Sequence, residues 1–511
     1  MRILRREFVR ALGASGACAS LPPSLRRSQP QNLREHLAAD PFRPQYHLLP
    51  ARNWMNDPNG PIHWNGRYHM FFQYNPNAAV WGDMHWAHAV SEDMIRWRHL
   101  PIALAPTPGW DDADGCFTGS AVDDRGTATI LYTGVKTAAP EQATLRDGVH
   151  NFREVQCLAT SSDPQLLTWT KWNQPVLQPP KDPRLAGFRD PFLRREGENW
   201  YLGVGSGLFR QGGRVLLYRS KDLRQWEYLH ALASGKWTER KSVNPVDSGE
   251  MWECPDFFPL GKKHVLLYSA AGQAIWESGE FDPRELIFHS ERSGILDHGA
   301  YYAQKTQLDA KGNRILWGWI PETRPEVEFS AAGWAGCMAL PRVLSLGSSG
   351  DLLMQTAPEV DALRAKSFIR QGPYAPVSQI ALSAQDVKIE NLCGEILWRT
   401  MSSRCTFVLE DRSGPWWSVE FALKSSYAAK FTVNEISAEV PFASNHNFEF
   451  HVFLDGSVAE LICNHMHAFT VRIYRQPNGP LRFRSSDDPM SAFSSLQAWQ
   501  LHPISPDRLT T

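Results

Sequence analysis

The sequence predicts an all-β protein, a five-bladed β-propeller followed by a C-terminal β-sandwich. A short β-rich run bounded by turn residues recurs five times between residues 44 and 345. A Ser–Asp turn followed by a tryptophan comes after three of those runs. Beyond residue 345 the strand pattern continues without that repeat. The 511 residues, 42% apolar and 21% charged, fit a globular protein of more than one domain.

The repeated runs are rich in β-branched and aromatic residues and have glycine or proline at their ends, which is typical of strands. Their central residues are 62, 70, 65 and 50 residues apart. Five copies of a multi-strand unit at such a period indicate a propeller over residues 44–345. The runs are 66-GRYHMFFQYNP-76, 128-ATILYTGV-135, 199-NWYLGVGSG-207, 263-KHVLLYSAAG-272 and 313-NRILWGWIP-321.

The rest of the chain predicts a second domain. Residues 346–366 form a connector, in which 357-APEVDALR-364 predicts a short helical segment. Residues 367–508 predict a β-sandwich, and the clearest hairpin is 451-HVFLDGSVAELICN-464, which turns at Asp455-Gly456. The sequence gives no oligomeric state.

The N-terminal sequence predicts an export signal. Residues 1–19 combine the twin arginine Arg5-Arg6, a weakly apolar run of small residues and an A-x-A site before Ser20. We therefore expect an exported protein, periplasmic or extracellular, that uses a twin-arginine route. No other run approaches the roughly 18 apolar residues of a membrane span. The net charge of −1 offers no basic face for nucleic acid.

Three carboxylates occupy the same phase of the repeat. Asp57, Asp190 and Glu253 precede the centres of their runs by 11, 10 and 12 residues. Equivalent positions of a propeller are related by rotation about its axis, so the three acids are expected to face one funnel. The same phase in the other two units falls at 117-FTGS-120 and near 301-YYAQKT-306, which offer an aromatic ring, hydroxyls and an amide.

Carboxylates that meet in a funnel suit the cleavage of a glycosidic bond. That reaction needs a proton donor at the leaving oxygen and a second carboxylate at the anomeric carbon. An apolar setting raises the pKa of a carboxyl group. Glu253 lies in 252-WECPDFF-258, between an indole and Cys254-Pro255, so we interpret it as the proton donor.

The other two acids have polar neighbours in the sequence. Asn56 and Asn59 flank Asp57, and their amides favour its ionised form, which suits a nucleophile. Arg189 precedes Asp190 and is expected to keep it anionic, so that it accepts hydrogen bonds from sugar hydroxyls. No metal site is predicted.

The motifs 54-WMNDPNG-60, 188-FRDP-191 and 252-WECPDFF-258 resemble the three signatures of glycoside hydrolase family 32. That family contains invertases, levanases, inulinases and related fructosyltransferases. The resemblance continues through 81-WGDMHWAH-88, 155-VQCLATSSD-163, 296-LDHGAYYAQKT-306 and 314-RILWGWI-320. It also reaches 457-SVAELICN-464 and 470-TVRIY-474, and so covers nearly the whole mature chain.

The resemblance implies that terminal β-fructofuranosyl units are released with retention of configuration, through a covalent fructosyl-enzyme. Asp57 is then the nucleophile, Glu253 the general acid/base and Asp190 the transition-state stabiliser. No metal or organic cofactor is implied. The substrate is a fructan (levan or inulin), a fructooligosaccharide or sucrose. The residues expected to bind it are Asn56, Gln73, Trp81, Phe117, Thr118, Arg189 and Trp319, with Tyr302 and Lys305 on the leaving-group side.

The sequence departs from the family pattern at two places; the one at Thr118 keeps the hydroxyl, and the one at 301–306, on the leaving-group side, leaves the substrate open. Thr118 stands where serine is commoner, and 301-YYAQKT-306 is closer to the lysine-containing form of its motif. The alternatives are a non-catalytic fructan-binding protein, a propeller hydrolase acting on arabinan or xylan, and transfer of fructose to another sugar. The sequence decides neither β-2,1 against β-2,6 linkage nor endo against exo attack.

Overall fold

The computed structural model describes residues 33–369, 375–376, 387–442, 447–487 and 493–505. The predicted signal segment 1–19 lies outside the described residues. In the described part of the chain the helices are α1 (Leu33–Ala39), α2 (Glu326–Ala332) and a 3₁₀ helix (Pro358–Leu363). None of the helices described is long and apolar enough to cross a membrane. The remaining elements are strands, so the prediction of an all-β protein is confirmed.

The first sheet shows how the repeated run is packed. Its strands are antiparallel in chain order: β1 (Asn53–Trp64), β2 (Arg67–Asn75), β3 (His85–Ser91) and β4 (Arg98–Leu104). The β1–β2 turn is Asn65-Gly66, and both residues have positive φ, as a two-residue hairpin turn requires. Along β2, Met70 packs towards Ile315 of the fifth sheet, whereas Phe71 packs towards Ile130 of the second. Because both faces are covered, the run is apolar almost throughout.

The second, third and fourth sheets follow in chain order, and in the third and fourth each strand pairs with the next one in the chain. The second contains β5 (Gly115–Asp124), β6 (Thr127–Thr137), β7 (Leu145–Arg146), β8 (Asn151–Ser161) and β9 (Thr170–Lys171). The third contains β10 (Leu185–Glu196), β11 (Asn199–Leu208), β12 (Gly212–Ser220) and β13 (Glu227–Ser234). The fourth contains β14 (Glu253–Leu260), β15 (Lys263–Ala270), β16 (Gln273–Asp282) and β17 (Ile287–Ile295).

The fifth sheet brings the chain back to the first. It contains β18 (Tyr302–Leu308), β19 (Arg314–Ile320), β21 (Cys337–Met338), β22 (Arg342–Leu346) and β23 (Leu352–Thr356). Between β19 and β21 the chain forms α2 and then β20 (Trp334–Ala335), which pairs in parallel with β1 of the first sheet. The first strands β1, β5, β10, β14 and β18 contact one another in order, and β18 contacts β1. These five strands therefore form a closed ring.

The C-terminal part consists of two sheets that face each other. One contains β24 (Arg364–Ile369), β25 (Ala375–Pro376), β26 (Cys393–Thr400), β31 (Phe448–Asp455), β32 (Val458–Cys463), β33 (His467–Arg472) and β35 (Phe493–Leu501). The other contains β27 (Arg404–Asp411), β28 (Gly414–Ser425), β29 (Ala428–Val433), β30 (Ile436–Pro441) and β34 (Arg482–Asp487). Between the two sheets, Trp398 of β26 contacts Phe407 of β27, with ring centroids 5.2 Å apart. The predicted hairpin at Asp455-Gly456 is confirmed as the turn between β31 and β32.

A buried ionic network ties this C-terminal part to the ring of sheets. His47, which precedes β1, places Nδ1 2.7 Å from Asp455 and Nε2 2.8 Å from Glu460. Arg342 of β22 donates to the same Glu460 (2.6 Å). Burial favours the neutral imidazole, but the two carboxylates prevail and raise the pKa of His47 to about 9.

Candidate active site

The three acids lie on the first strands of their sheets, each at a break in the strand pairing. Asp57 is on β1, Asp190 on β10 and Glu253 on β14, and the register with the following strand shifts at each of them. β5 shifts after Phe117, and β18 shifts after Tyr302. A β-bulge re-aims a side chain and interrupts the ladder. Five bulges at the same level therefore turn side chains from all five first strands towards the centre of the ring.

Proline explains why the breaks coincide with the motifs. Asp57, Asp190 and Cys254 are each followed by a proline, which has no N–H to donate to a neighbouring strand. Asp190 and Cys254 have φ values of 62° and 49°, in a region that residues other than glycine rarely adopt. The N-D-P, R-D-P and E-C-P sequences thus produce the local backbone that presents the carboxylates.

The acids line a single cavity of about 130 Å³. That volume is below the roughly 300–1,000 Å³ of pockets for drug-sized ligands, and it suits one sugar ring. Of the predicted substrate-binding residues, eight line this cavity with the three acids: Asn56, Gln73, Trp81, Phe117, Thr118, Arg189, Tyr302 and Trp319.

Lys305 is not where the sequence placed it. Its side chain is buried, and Nζ donates to the backbone oxygens of Pro255 (3.0 Å) and Asp190 (3.5 Å). Lys305 follows the β18 bulge, which leaves it outside the cavity lining, whereas Tyr302 before the bulge points into it. The expectation that Lys305 reaches the leaving group is therefore wrong. Lys305 instead holds the backbone that carries the acids.

Asp57 is a half-buried carboxylate with directed donors. Thr118 Oγ1 donates to Oδ2 (2.7 Å), and Asn56 Nδ2 donates to Oδ1 (3.0 Å). Burial raises the pKa of Asp57, while the bonds from Thr118 and Asn56 lower it and the nearby Glu253 raises it further. The prediction that the amide of Asn59 donates to Asp57 is wrong. Its amide oxygen accepts from Gln73 (2.7 Å), and its nitrogen faces Thr118.

Asp190 is held by the segment that carries Glu253. The backbone N of Cys254 donates to Oδ2 of Asp190 (3.0 Å), and the backbone N of Asp190 donates to Thr133 Oγ1 (2.9 Å). Burial raises the pKa of Asp190 to about 7, and Arg189, which lowers it, does not compensate. Arg189 therefore favours the anion of Asp190, as expected, from a distance of 3.9 Å between their charged groups, but burial opposes the charge more strongly.

The hydrogen bonds of Arg189 go to two glutamates instead. Its guanidinium donates to Glu154 and to Oε1 of Glu253, each at 2.8 Å, and Tyr302 donates to Oε2 of Glu253 (2.6 Å). The aromatic residues of the W-E-C-P-D-F-F motif pack elsewhere. Trp252, for example, stacks on Tyr268 with centroids 3.8 Å apart. The carboxyl group of Glu253 thus has polar contacts and not the apolar setting that the sequence predicted.

Cys254 connects the nucleophile candidate with Asp190. Its Sγ lies 3.3 Å from Oδ2 of Asp57 and 3.5 Å from Oδ2 of Asp190. Burial, and then the two carboxylates, raise the pKa of this thiol well above its usual value, so it keeps its proton and donates. From its sequence context, Cys254 was expected only to contribute to an apolar setting for Glu253.

Sequence reasoning also missed a fully buried acid and one wall of the cavity. Glu154 of β8 accepts from Arg189, Thr144 and the backbone N of Phe188, each at 2.8 Å. No proline or glycine pattern marks Glu154, and only the strand alternation of 151-NFREVQCLATS-161 hints that it points inward. The missed wall comprises Leu145, Arg146, Asp147, Val149 and His150, together with Asn244 and Pro245.

The arrangement combines a hydrogen-bonded carboxylate, a second carboxyl group held by an arginine and a tyrosine, and a third acid with a raised pKa. These groups surround a cavity of the size of one sugar ring. In the described part of the chain, no group of three or more His, Cys, Asp or Glu residues is arranged to hold a metal ion. Paired carboxyl groups at such a cavity define a glycoside hydrolase.

The comparison with known families agrees with that class. Residues 47–357 match the family model "Glycosyl hydrolases family 32 N-terminal domain". The chain belongs to glycoside hydrolase family 32. It is 41% identical to a sucrose-6-phosphate hydrolase of Escherichia coli over 63% of this chain and 66% of that relative. It is 34% identical to a raffinose invertase of Escherichia coli over 88% of this chain and 94% of that protein.

Solved structures share the whole architecture of a propeller with a sandwich. The GH32 beta-fructofuranosidase of Bombyx mori superposes with a TM-score of 0.73 over 93% of this chain and 98% of that one, at 28% identity. Fructan 1-exohydrolase IIa of Cichorium intybus gives a TM-score of 0.75 over 91% and 98% at 24% identity, which shows the fold.

Proposed function

We propose that this protein is a retaining β-fructofuranosidase that releases terminal fructosyl units from sucrose, fructooligosaccharides or fructans. The observation that carries the proposal is the meeting of Asp57, Asp190 and Glu253 at one cavity of the size of a single ring. The names of the relatives support it, since they include an invertase and a beta-fructofuranosidase.

In the proposed mechanism Asp57 attacks C2 of the fructosyl unit. Its hydrogen bonds to Thr118 and Asn56 fix the direction of the attacking oxygen. Glu253 gives a proton to the leaving oxygen as the bond between that oxygen and C2 breaks, and it then takes a proton from the water that attacks C2 and releases Asp57. The contacts of Glu253 with Arg189 and Tyr302 favour the carboxylate that this second step needs. The two carboxyl groups are expected to be about 5 Å apart, as retention requires.

Asp190 is proposed to stabilise the transition state by binding fructose hydroxyls. Burial, and the neighbouring carboxyl groups of Glu253 and Asp57, raise the pKa of Asp190 to about 7. A sugar hydroxyl that donates to Oδ2 would favour the ionised form, as the backbone N of Cys254 already does. Asn56, Gln73, Trp81, Phe117 and Trp319 are the proposed contacts of the ring itself.

The five sheets are proposed as the five blades of a propeller that occupies residues 44–345, followed by a connector over 346–366 and a sandwich over 367–508. The closed ring of first strands supports this division. Export through the twin-arginine segment 1–19 belongs to the same proposal. The N-terminal sequence of exported protein should begin near Ser20, and an intact Met1 would contradict the cleavage.

The test is one product analysis with wild-type protein and the Asp57→Asn variant. Sucrose, inulin and levan are supplied separately, and the sugars are resolved over time. We expect fructose from the first time point with wild-type protein and turnover reduced at least about 10⁴-fold in the variant, which should still bind fructose. Short oligosaccharides appearing before fructose would contradict terminal attack.

A second measurement tests retention. In the presence of methanol, a retaining enzyme transfers the fructosyl unit with its β configuration, so methyl β-D-fructofuranoside should appear. The α anomer would contradict a covalent intermediate on Asp57. Activity on arabinan or xylan without release of fructose from any substrate would favour the alternative hydrolase. Binding of levan without any product would favour the binding protein.

A further inference from the structure

The mouth of the cavity is built by two chain segments outside the signature motifs. One is the segment 145–150, which leads from β7 into β8, and the other contains Asn244 and Pro245. The two touch each other, since a Cβ on Gly148 would lie 2.5 Å from Cγ1 of Val243. Gly148 also has a φ of 92°, so glycine is required there on both grounds. The mouth is therefore a defined surface next to the acids.

His150 is the oriented polar group of this mouth. Its ring lies on Phe152, with centroids 5.0 Å apart, and 5.1 Å from the ring of Trp81. Nδ1 lies 3.0 Å from Oδ2 of Asp147. Asp147 is in turn fixed by the backbone N–H groups of Val149 (2.9 Å) and His150 (2.7 Å).

This arrangement assigns a role to each nitrogen of the imidazole. Burial opposes the charge of Asp147, but the bonds from the His150 ring and from the backbone lower its pKa, so it stays a carboxylate. A carboxylate beside Nδ1 selects the tautomer with its proton on that nitrogen. Nε2 then accepts hydrogen bonds, and the ring lines the cavity. An acceptor at this place suits a hydroxyl group.

The charges of the lining determine which leaving group fits. Four carboxyl groups line the cavity, against two arginines. Arg189 is held by Glu154 and Glu253. Arg146 donates to the backbone oxygen of Leu185 (3.0 Å) and lies over the ring of Phe209 at 5.0 Å. A phosphate group bound at His150 would therefore meet the like charge of Asp147, which lies beside that ring, whereas the guanidinium of Arg146 is directed to Leu185 and Phe209.

We propose that His150, positioned by Asp147, is the specificity contact for the leaving group, and that it selects an uncharged hexose over a phosphorylated one. The inference rests on the proposed fructosidase activity. The proposed preference for an uncharged leaving group differs from the substrate named for a 41% identical relative, a sucrose-6-phosphate hydrolase.

The experiment compares kcat/KM for three substrates that share the fructosyl unit. Sucrose has a neutral glucosyl leaving group, sucrose phosphorylated on its glucosyl O6 has a charged one, and p-nitrophenyl β-D-fructofuranoside has no leaving-group hydroxyls to bind. With wild-type protein we expect kcat/KM for sucrose to exceed that for the phosphorylated sugar at least tenfold. A preference for the phosphorylated sugar would overturn the proposal.

The variant His150→Phe keeps the ring stack and removes the acceptor. We expect it to lower kcat/KM for sucrose about tenfold, as loss of one hydrogen bond does, and to change that for the aryl fructoside less than about twofold. Inhibition by glucose should weaken, whereas inhibition by fructose should not. Asp147→Ala should have the same pattern because it removes the acceptor of Nδ1 and releases the ring. His289→Phe, at an exposed position on β17, is the matched control.

The outcomes separate this proposal from the function on which it rests. Equal losses for sucrose and the aryl fructoside in His150→Phe would overturn the role of His150 while leaving a fructosidase. Release of no fructose from any of the three substrates by wild-type protein would instead contradict the proposed function itself. A loss in His289→Phe equal to that in His150→Phe would also overturn the specific role.

Discussion

Replacing Glu154 by glutamine tests whether a buried ion pair supports the candidate active site. Glu154 has no exposed side-chain surface, and its partner Arg189 is 7% exposed. Glutamine preserves the shape and can keep the bonds from Phe188 and Thr144 to its oxygen. Its NH₂ group, however, would face the guanidinium, so a donor would meet a donor where a charge-assisted bond had been.

The expected loss follows from the burial of the pair. Removing one partner of a buried ion pair typically costs about 3–5 kcal/mol, since the other charge remains without full compensation. Arg189 still has Glu253, which places our expectation at the lower end, about 3 kcal/mol in the free energy of unfolding. kcat/KM for sucrose should fall as well, because the arginine that contacts Glu253 loses its second anchor.

The matched control is Glu227→Gln. Glu227 pairs with Arg219 at 2.7 Å, a similar distance, but the two side chains are 62% and 40% exposed. An exposed pair contributes about 0–1 kcal/mol. Wild-type protein and both variants are unfolded in urea, which leaves the ionic strength unchanged. The loss in the free energy of unfolding is then compared between the two variants. Equal losses in the two variants, or an unchanged kcat/KM in Glu154→Gln, would refute the reasoning.

Three further predictions concern the nucleophile candidate, the buried histidine and a glycine. In Thr118→Val, loss of the bond that lowers the pKa of Asp57 should move the acidic limb of kcat/KM to higher pH, and an unmoved limb would contradict this contact. The pKa of His47 rises from 6.5 to about 9 on folding, so its stabilisation is complete below pH 6.5 and disappears as the pH rises through 9. Wild-type protein should therefore lose more unfolding free energy between pH 6 and 9.5 than His47→Gln does, and parallel losses would count against it. Gly207→Ala should prevent stable folding, seen by circular dichroism and thermal melting, since the new Cβ would lie 1.6 Å from the backbone oxygen of Glu250. A melting temperature near that of wild-type protein would be inconsistent with this packing.

The repeat and the positions of the acids were predictable because they depend on local patterns. The five β-rich runs are the second strands of the five sheets, and their apolar character reflects coverage on both faces. The prolines after Asp57 and Asp190 mark breaks in pairing that any strand would show. Residues at the same position of each repeat lie around one axis, so the spacing of the motifs predicted that the three acids would lie close together.

The sequence by itself determined the all-β class, the repeat and the set of acids, because strand patterns and prolines act within a few residues. Only the tertiary structure decided which charges pair. Arg189 is adjacent to Asp190 in sequence, yet its bonds reach Glu154 and Glu253, residues of two other sheets. Adjacency along the chain does not decide which charged groups come closest, since interaction depends on distance through space. For the same reason Lys305 points away from the cavity, since the bulge in β18 decides which side a residue faces, whereas His150 reaches the cavity from the connection between β7 and β8.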